Sequence, residues 1–222
     1  MNRKMLTFDC YGTLVDWETG IAGAFQEEAA RDGVRLDRER VLAAYARAEA
    51  AVEAEAWRPY REVLAEAAMR AARELGWGLS PERATFLARS LPEWRPFPDT
   101  HPALERLAGG HALGLLSNVD DDLLDATRRH LGVAWDLVVT AEQVRSYKPR
   151  RAHWIEARRR LGDVEWTHVA QSYVHDVQPC LDLGLRVVWV NRGGRRLEPA
   201  DPRPPHEVAD LAGAARLLAE RP

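Results

Sequence analysis

The spacing of apolar positions divides the chain into two textures. Residues 5–8 form a short apolar run of strand length that ends on an acid, Asp9. Residues 18–93 then hold almost nothing of strand character. Residues 38–56 show helical spacing through Leu42, Tyr45, Ala46, Glu49 and Val52, and residues 60–75 repeat it through Val63, Leu64, Ala67, Ala68 and Ala71. Ser80 and Pro81 read as a helix start, with Ser80 as N-cap and the proline in the first helical position. From about residue 95 the texture changes to alternation. Helices are expected over 101–107, 120–130, 151–161, 177–183 and 210–219, with strands over 112–116, 137–140, 168–171 and 186–190. Residues 191–205, rich in Gly, Arg and Pro, read as a surface connection.

Alternating strands and helices imply an α/β fold, a parallel sheet with helices on both faces. An all-helical block between the first strand and the rest implies a cap inserted into that sheet. The expected division is therefore 1–16 with 94–222 as the sheet domain and 17–93 as the cap.

Composition narrows the class without naming a reaction. A chain of 222 residues can bury a substantial core, and 46% hydrophobic with 29% charged residues is ordinary for a soluble globule. A formal charge of −3 gives no reason to expect nucleic acid or an anionic membrane as partner. Cys10 and Cys180 make no disulfide framework, so a reducing cytoplasm is the expected compartment. The first residues lack a secretory pattern, and no apolar run approaches the roughly 20 residues of a membrane span.

The chemistry gathers where strands end. An aspartate at the carboxyl end of a parallel strand lies where open α/β sheets bind ligands, and there it can attack substrate and form an ester. Gly12 and Thr13 follow Asp9 in a turn able to bring N–H groups and a hydroxyl to the carboxylate. Taken alone, Asp9 also has a bland reading, as a cap for the next helix. Ser117 and Asn118 follow the second strand as short hydrogen-bonding groups, or as a plain helix start. Lys148 follows the third strand, where a solvated surface charge is the bland reading, and Asp176 follows the fourth, as a water-polarising acid or a helix cap.

Together, Asp9, Ser117, Lys148 and Asp176 resemble, in order and spacing, the four motifs of the haloacid dehalogenase superfamily. That resemblance spans essentially the whole chain and implies a Rossmann-like core, a helical cap and hydrolysis through an aspartyl-enzyme intermediate. Phosphatases of that superfamily place a second Asp two residues after the nucleophile, to protonate the leaving alkoxide. Tyr11 stands there instead, a phenol of ordinary pKa near ~10. Residues 8–14 thus resemble the L-2-haloacid dehalogenase branch, whose halide leaving group needs no proton.

The dehalogenase resemblance implies Asp9 as nucleophile, Lys148 as its cationic partner and Asp176 as the activator of water. It implies Thr13 and Ser117 holding carboxylate oxygens, Asn118 lining the halide cradle, and Tyr11 at the substrate. The halide-receiving cap arginine has Arg47 as nearest candidate, with Arg58 and Arg61 behind it. Departures are Gln171 and Tyr173 for Ser and Asn ahead of the last Asp, and Trp154 for Tyr after the lysine. Trp17, Trp57 and Tyr60 either line a pocket or pack the core, and His175 beside Asp176 reads as a bystander.

A bound haloacid would bring the charge of Asp9, Asp176 and Lys148 to a surplus of two negatives. Unit charges roughly 4 Å apart interact by about 4 kcal/mol at an effective dielectric of about 20. Either a cap arginine closes the site without cofactor, the favoured version, or Mg²⁺ sits among Asp9, Asp176 and the Tyr11 carbonyl. Three readings follow: a metal-free 2-haloacid hydrolase, a Mg²⁺-dependent phosphatase, and a non-catalytic binder of a small acid or a partner. The expected partner is a small organic acid as substrate, and the chain a monomer or homodimer.

Overall fold

A computed structural model describes residues 4–219. Its sheet has six parallel strands: β1 (Lys4–Phe8), β2 (His111–Ser117), β3 (Leu137–Thr140), β4 (Trp166–Ala170), β5 (Arg186–Val190) and β6 (His206–Val208), in the order β3-β2-β1-β4-β5-β6. β1 is central, with Leu6 opposite Leu113 of β2 on one side and Thr167 of β4 on the other. From β1 the chain winds outward first through β2 and β3, then returns to build β4, β5 and β6 beyond the other edge. Strand order reverses between β1 and β4, where such sheets open a crevice at their carboxyl ends.

The strands hold because both faces are covered. Leu6 and Phe8 of β1 enter one buried apolar cluster, and Met5 enters the other, as a two-residue strand period requires. The first cluster joins α1 (Trp17–Ala30), α2 (Arg38–Glu53), α3 (Tyr60–Glu74), α4 (Phe86–Ser90), α5 (Thr100–Ala108), α6 (Asp121–Arg128) and a later helix, Leu211–Ala219; of these, α5 packs against β2 and Leu211–Ala219 against β5. The second is packed by α7 (Ala141–Val144), α8 (Ala152–Leu161) and α9 (Gln178–Asp182), with Trp154, Trp166 and Trp189 as its largest side chains. Leu211–Ala219 is α10.

Helices α1 to α4 all lie in the chain between β1 and β2. Asp16 caps α1 by accepting from the Thr19 N–H at 3.1 Å, and Asp37 caps α2 by accepting from that of Arg40 at 2.9 Å. Pro59 offers α3 no such bond. Asp120, just after β2, supplies it across the fold, accepting from the backbone N–H of Tyr60 at 2.7 Å and of Arg61 at 3.0 Å. α2 and α3 pack through buried alanines, including Ala44, Ala48, Ala67 and Ala71, whose small side chains let the backbones approach. Two short chain segments join this insertion to the sheet, paired by Asp16 N–H to the Arg95 carbonyl at 2.9 Å and Phe97 N–H to the Leu14 carbonyl at 3.0 Å. A side chain at Gly20 would lie 2.5 Å from the Trp94 ring, so α1 can seat here only with glycine.

Differences from the sequence reading are local. The Ser80 side chain caps nothing, and Pro81–Arg83 is a single 3₁₀ turn. The helix expected over 177–183 is a π-turn, Tyr173–Val177, running into the short α9. The connection after β5 also contains an edge strand, β6, too short to register as an alternating pattern. Cys10 and Cys180 are buried free thiols. Among the described residues no helix is long and apolar enough to cross a membrane.

Candidate active site

Asp9 follows β1 directly and is buried at the crevice. The turn after it closes through Leu14 N–H to the Cys10 carbonyl at 2.8 Å, with Gly12 at φ +93°, a value side chains rarely tolerate. That turn carries Thr13 back to the acid, where its hydroxyl donates to Asp9 Oδ2 at 2.8 Å. The same oxygen of Thr13 accepts the Gln171 backbone N–H at 2.9 Å, tying the turn to the end of β4.

Lys148 is the hub of the cluster. Its Nζ donates to Asp9 Oδ1 at 2.8 Å, to Asp176 Oδ1 at 2.6 Å and to the Leu116 carbonyl at 2.9 Å. An ammonium has three donors, and all three are engaged. Asn118 fixes the lysine's backbone from both sides, accepting its N–H at 2.7 Å and donating to its carbonyl at 3.1 Å. Asp176 Oδ1 also accepts from His168 Nε2 at 3.0 Å. In the neutral ring, His168 Nδ1 is then the acceptor for the Thr7 hydroxyl at 2.8 Å, and Thr7 in turn accepts from Trp166 Nε1 at 2.6 Å.

These contacts set the charges. Burial alone pushes Lys148 down, but Asp176 and Asp9 reverse that and hold it firmly protonated. Burial also works against Asp176 as an anion, yet Lys148 and His168 together keep its carboxyl well below the usual range. Asp9 sits above the ordinary carboxylate value because burial and the Asp176 charge oppose the help of Lys148 and Thr13. Two polar atoms on the wall lack a hydrogen-bonding partner: Asp176 Oδ2 and the fully buried Ser117 hydroxyl.

A cavity of about 260 Å³ opens above this cluster, between the strand ends and the helical insertion. Its floor is Asp9, Tyr11, Ser117, Asn118, Lys148 and Asp176. Its roof is Trp17 and Ile21 of α1, Ala46, Glu49, Ala50 and Glu53 of α2, and Tyr60 of α3. His175 is on the wall beside Asp176, because the π-turn brings both neighbours to the cavity. Trp57 lies elsewhere, beneath Arg145 at 4.6 Å.

Arg47 is not brought to the cavity. Its guanidinium pairs with Glu74 of α3 on the outer surface, with the side chain 62% exposed. Arg58 pairs with Glu55 at 2.6 Å, and Arg61 with Asp120 at 3.0 Å and with Asp122. Helical geometry explains the placement: Ala46, Ala50 and Glu53 share one face of α2 with Glu49, and Arg47 is turned away from it. Glu49 Oε1 accepts the phenols of Tyr45 at 2.8 Å and Tyr60 at 2.6 Å. Burial, then the charge of Glu49, push the Glu53 carboxyl up to about 9, so it is protonated at neutral pH. Tyr11 lines the floor, but its hydroxyl meets Thr127 at 2.9 Å, and burial pushes its phenol well above its ordinary value.

Nor does the donor set suit a bridging Mg²⁺. Lys148 already lies between Asp9 and Asp176, and among the described residues no three His, Cys, Asp or Glu side chains stand together for a metal.

The model of one family, haloacid dehalogenase-like hydrolase, matches residues 4–204. The chain belongs to the haloacid dehalogenase-like hydrolases. It is 28% identical over 148 residues to the (S)-2-haloacid dehalogenases of Pseudomonas putida and Pseudomonas fluorescens, a stretch spanning 65% of this chain and 65% of each relative. The crystal structure of the L-2-haloacid dehalogenase RSc1362 superposes with a TM-score of 0.85 over 98% of this chain and 99% of that one, at 23% identity. That likeness is one of fold.

Sequence reasoning missed three groups that this family's frame surrounds. His168 lay unremarked inside a strand, although an inward histidine one turn from Asp176 was visible. Arg192 was folded into a surface connection, yet it donates to the Thr13 carbonyl at 2.9 Å and to Asp99 at 3.0 Å while stacking on Phe97 at 4.0 Å. Glu49 and Glu53 were taken as part of a helix, and their i, i+4 spacing was the only available signal.

Proposed function

We propose that this chain hydrolyses the carbon–halogen bond of a small molecule with a 2-haloacid skeleton, through an ester formed at Asp9. The supporting observation is the buried Asp9 held between Lys148 and Thr13, with a phenol bonded elsewhere in place of a proton donor two residues on. The relatives' names carry the same skeleton. Residues 17–93 act as the cap that covers the reaction, and no cofactor takes part.

In the first step an Asp9 oxygen attacks the halogen-bearing carbon. A carbon–oxygen bond forms, the carbon–halogen bond breaks, and the halide departs with the bonding pair. No proton is needed, so the engagement of Tyr11 with Thr127 costs nothing. Lys148 and Thr13 orient the nucleophile and offset its burial. In the second step water attacks the Asp9 carboxyl carbon. Asp176 Oδ2, unpartnered on the cavity wall, orients that water and takes its proton, while His168 and Lys148 fix Asp176 from behind. Collapse of the intermediate breaks the bond between the Asp9 carboxyl carbon and the substrate oxygen, the proton held by Asp176 passes to that departing oxygen, and Asp9 is freed with release of the 2-hydroxy product.

Chloride release from 2-chloropropionate and 2-chloropropionamide, with and without EDTA, tests this reading. Asp9→Asn should lower turnover by at least about 10³-fold with the far-UV spectrum unchanged. Turnover that survives the substitution, or that EDTA abolishes, would sink it.

A further inference from the structure

The cavity has the wrong charge for a free carboxylate. Its floor holds two acids against Lys148, and its roof adds the charge of Glu49, with the neutral Glu53 carboxyl one helical turn along α2. Lys148 has no donor to spare for substrate, since its three are given to Asp9, Asp176 and the Leu116 carbonyl. The cap arginines able to compensate are engaged outside: Arg47 with Glu74, Arg58 with Glu55, Arg61 with Asp120 and Asp122. Arg192 reaches the back of the Thr13 turn and does not line the cavity.

The remaining groups on the wall are those of a site for a neutral polar molecule. Ser117 presents a fully buried hydroxyl without a partner. Glu53 lies 3.5 Å from the Asn118 amide, and Glu49 keeps one oxygen on two phenols. Protonated, Glu53 presents both a donor and an acceptor, the pattern that pairs face to face with an amide. A carboxylate brought against Glu49 would meet like charge.

We propose that the carboxyl end of the substrate is blocked as an amide, and that Glu49 and Glu53 select this uncharged N–H donor over a carboxylate. The inference rests on the dehalogenase reading and adds the substrate's head group to it. Glu49 and Glu53 are specificity-determining residues of the roof.

The test measures chloride release by the full-length chain from three matched compounds: 2-chloropropionamide, 2-chloropropionate and methyl 2-chloropropionate. The expected result is a kcat/KM for the amide at least tenfold above that for the carboxylate, with the ester below the amide. Glu49→Gln should narrow the amide preference by about tenfold, mainly through KM, whereas Glu53→Gln, which keeps a donor and an acceptor, should leave it within about twofold. Glu53→Arg should move it further toward the carboxylate. The isosteric Glu49→Gln variant keeps the test intact if the arginine variant does not fold. Carboxylate turned over as well as amide would overturn the inference while leaving the Asp9 reading standing. An ester equal to the amide would overturn the N–H requirement. Absence of chloride from all three would overturn the dehalogenase reading, and this inference with it.

Discussion

The floor and the roof of the cavity are built by different rules. On the floor, each chemical residue stands at the end of a strand, and backbone pairing fixes its place: Asp9 after β1, Ser117 at the end of β2, Asp176 in the turn after β4. Lys148 reaches in from beyond β3 and is pinned at its backbone by Asn118. On the roof, Glu49 and Glu53 ride on a helix whose register comes from alanines packed against α3. The floor's charged groups are tied to one another through Lys148, whereas the roof's carboxyls bond to phenols and to the Asn118 amide. On the proposed reading, chemistry belongs to the floor and choice of substrate to the roof, so changes in each should separate kcat from KM.

The largest effect belongs to the floor. Lys148→Met removes the one cation between Asp9 and Asp176 and leaves two buried carboxylates facing each other. Stability should fall by about 3–5 kcal/mol, the cost typical of breaking a buried pair. Residual folded enzyme should lose at least about 10²-fold in kcat. Chemical denaturation and halide release check the two parts separately, and a stable, active variant would dissolve the floor's claim to be one unit.

Glu53→Gln should act through stability and pH. The folded carboxyl titrates near 9, against 4.5 for the free group. Below the lower value both states carry the proton, and the native state loses nothing. As pH rises above it, the unfolded chain sheds a proton that the folded chain keeps, so stability declines until the folded carboxyl itself titrates. Glutamine imitates the protonated form and removes that decline. The variant should melt several degrees above the parent at pH 8, with the gap shrinking toward pH 5. Identical melting profiles across that range would place Glu53 in water.

Arg47→Ala should do least. Its ion pair with Glu74 is exposed, and such pairs are worth about 0–1 kcal/mol. Turnover should stay within about twofold of the parent for any substrate. A collapse of activity would mean that Arg47 swings into the cavity, and the distinction between an acidic roof and a cationic one would fall.

The floor was largely legible in the amino-acid sequence because strand ends leave a local signature. A short apolar run followed by Asp9, or by Ser117 and Asn118, can be read without knowing what lies opposite. The parallel sheet and the helical insertion between β1 and β2 were legible for the same reason, through a change of period. The roof was not, because a helix repeats every 3.6 residues and presents every side of itself in turn. Whether Arg47 or Glu49 faces the substrate depends on where α2 meets α3, two segments whose packing no local pattern records. His168 escaped notice for a related reason: buried strands show inward and outward residues alike as one apolar run. Arg192 reaches Thr13 from a Gly- and Arg-rich stretch whose composition describes only a loop.

The central claim is the ester at Asp9, and oxygen labelling tests it most directly. Enzyme in excess over substrate would be allowed one turnover in H₂¹⁸O, using whichever 2-chloropropionyl compound releases most chloride. Mass spectrometry would then read both the hydroxylated product and the peptide containing Asp9. The account predicts an unlabelled product, its oxygen taken from Asp9, and a gain of one ¹⁸O in the carboxylate of that peptide. A labelled product with an unlabelled Asp9 would mean that water displaces the halide directly, and the ester would have no place in the mechanism.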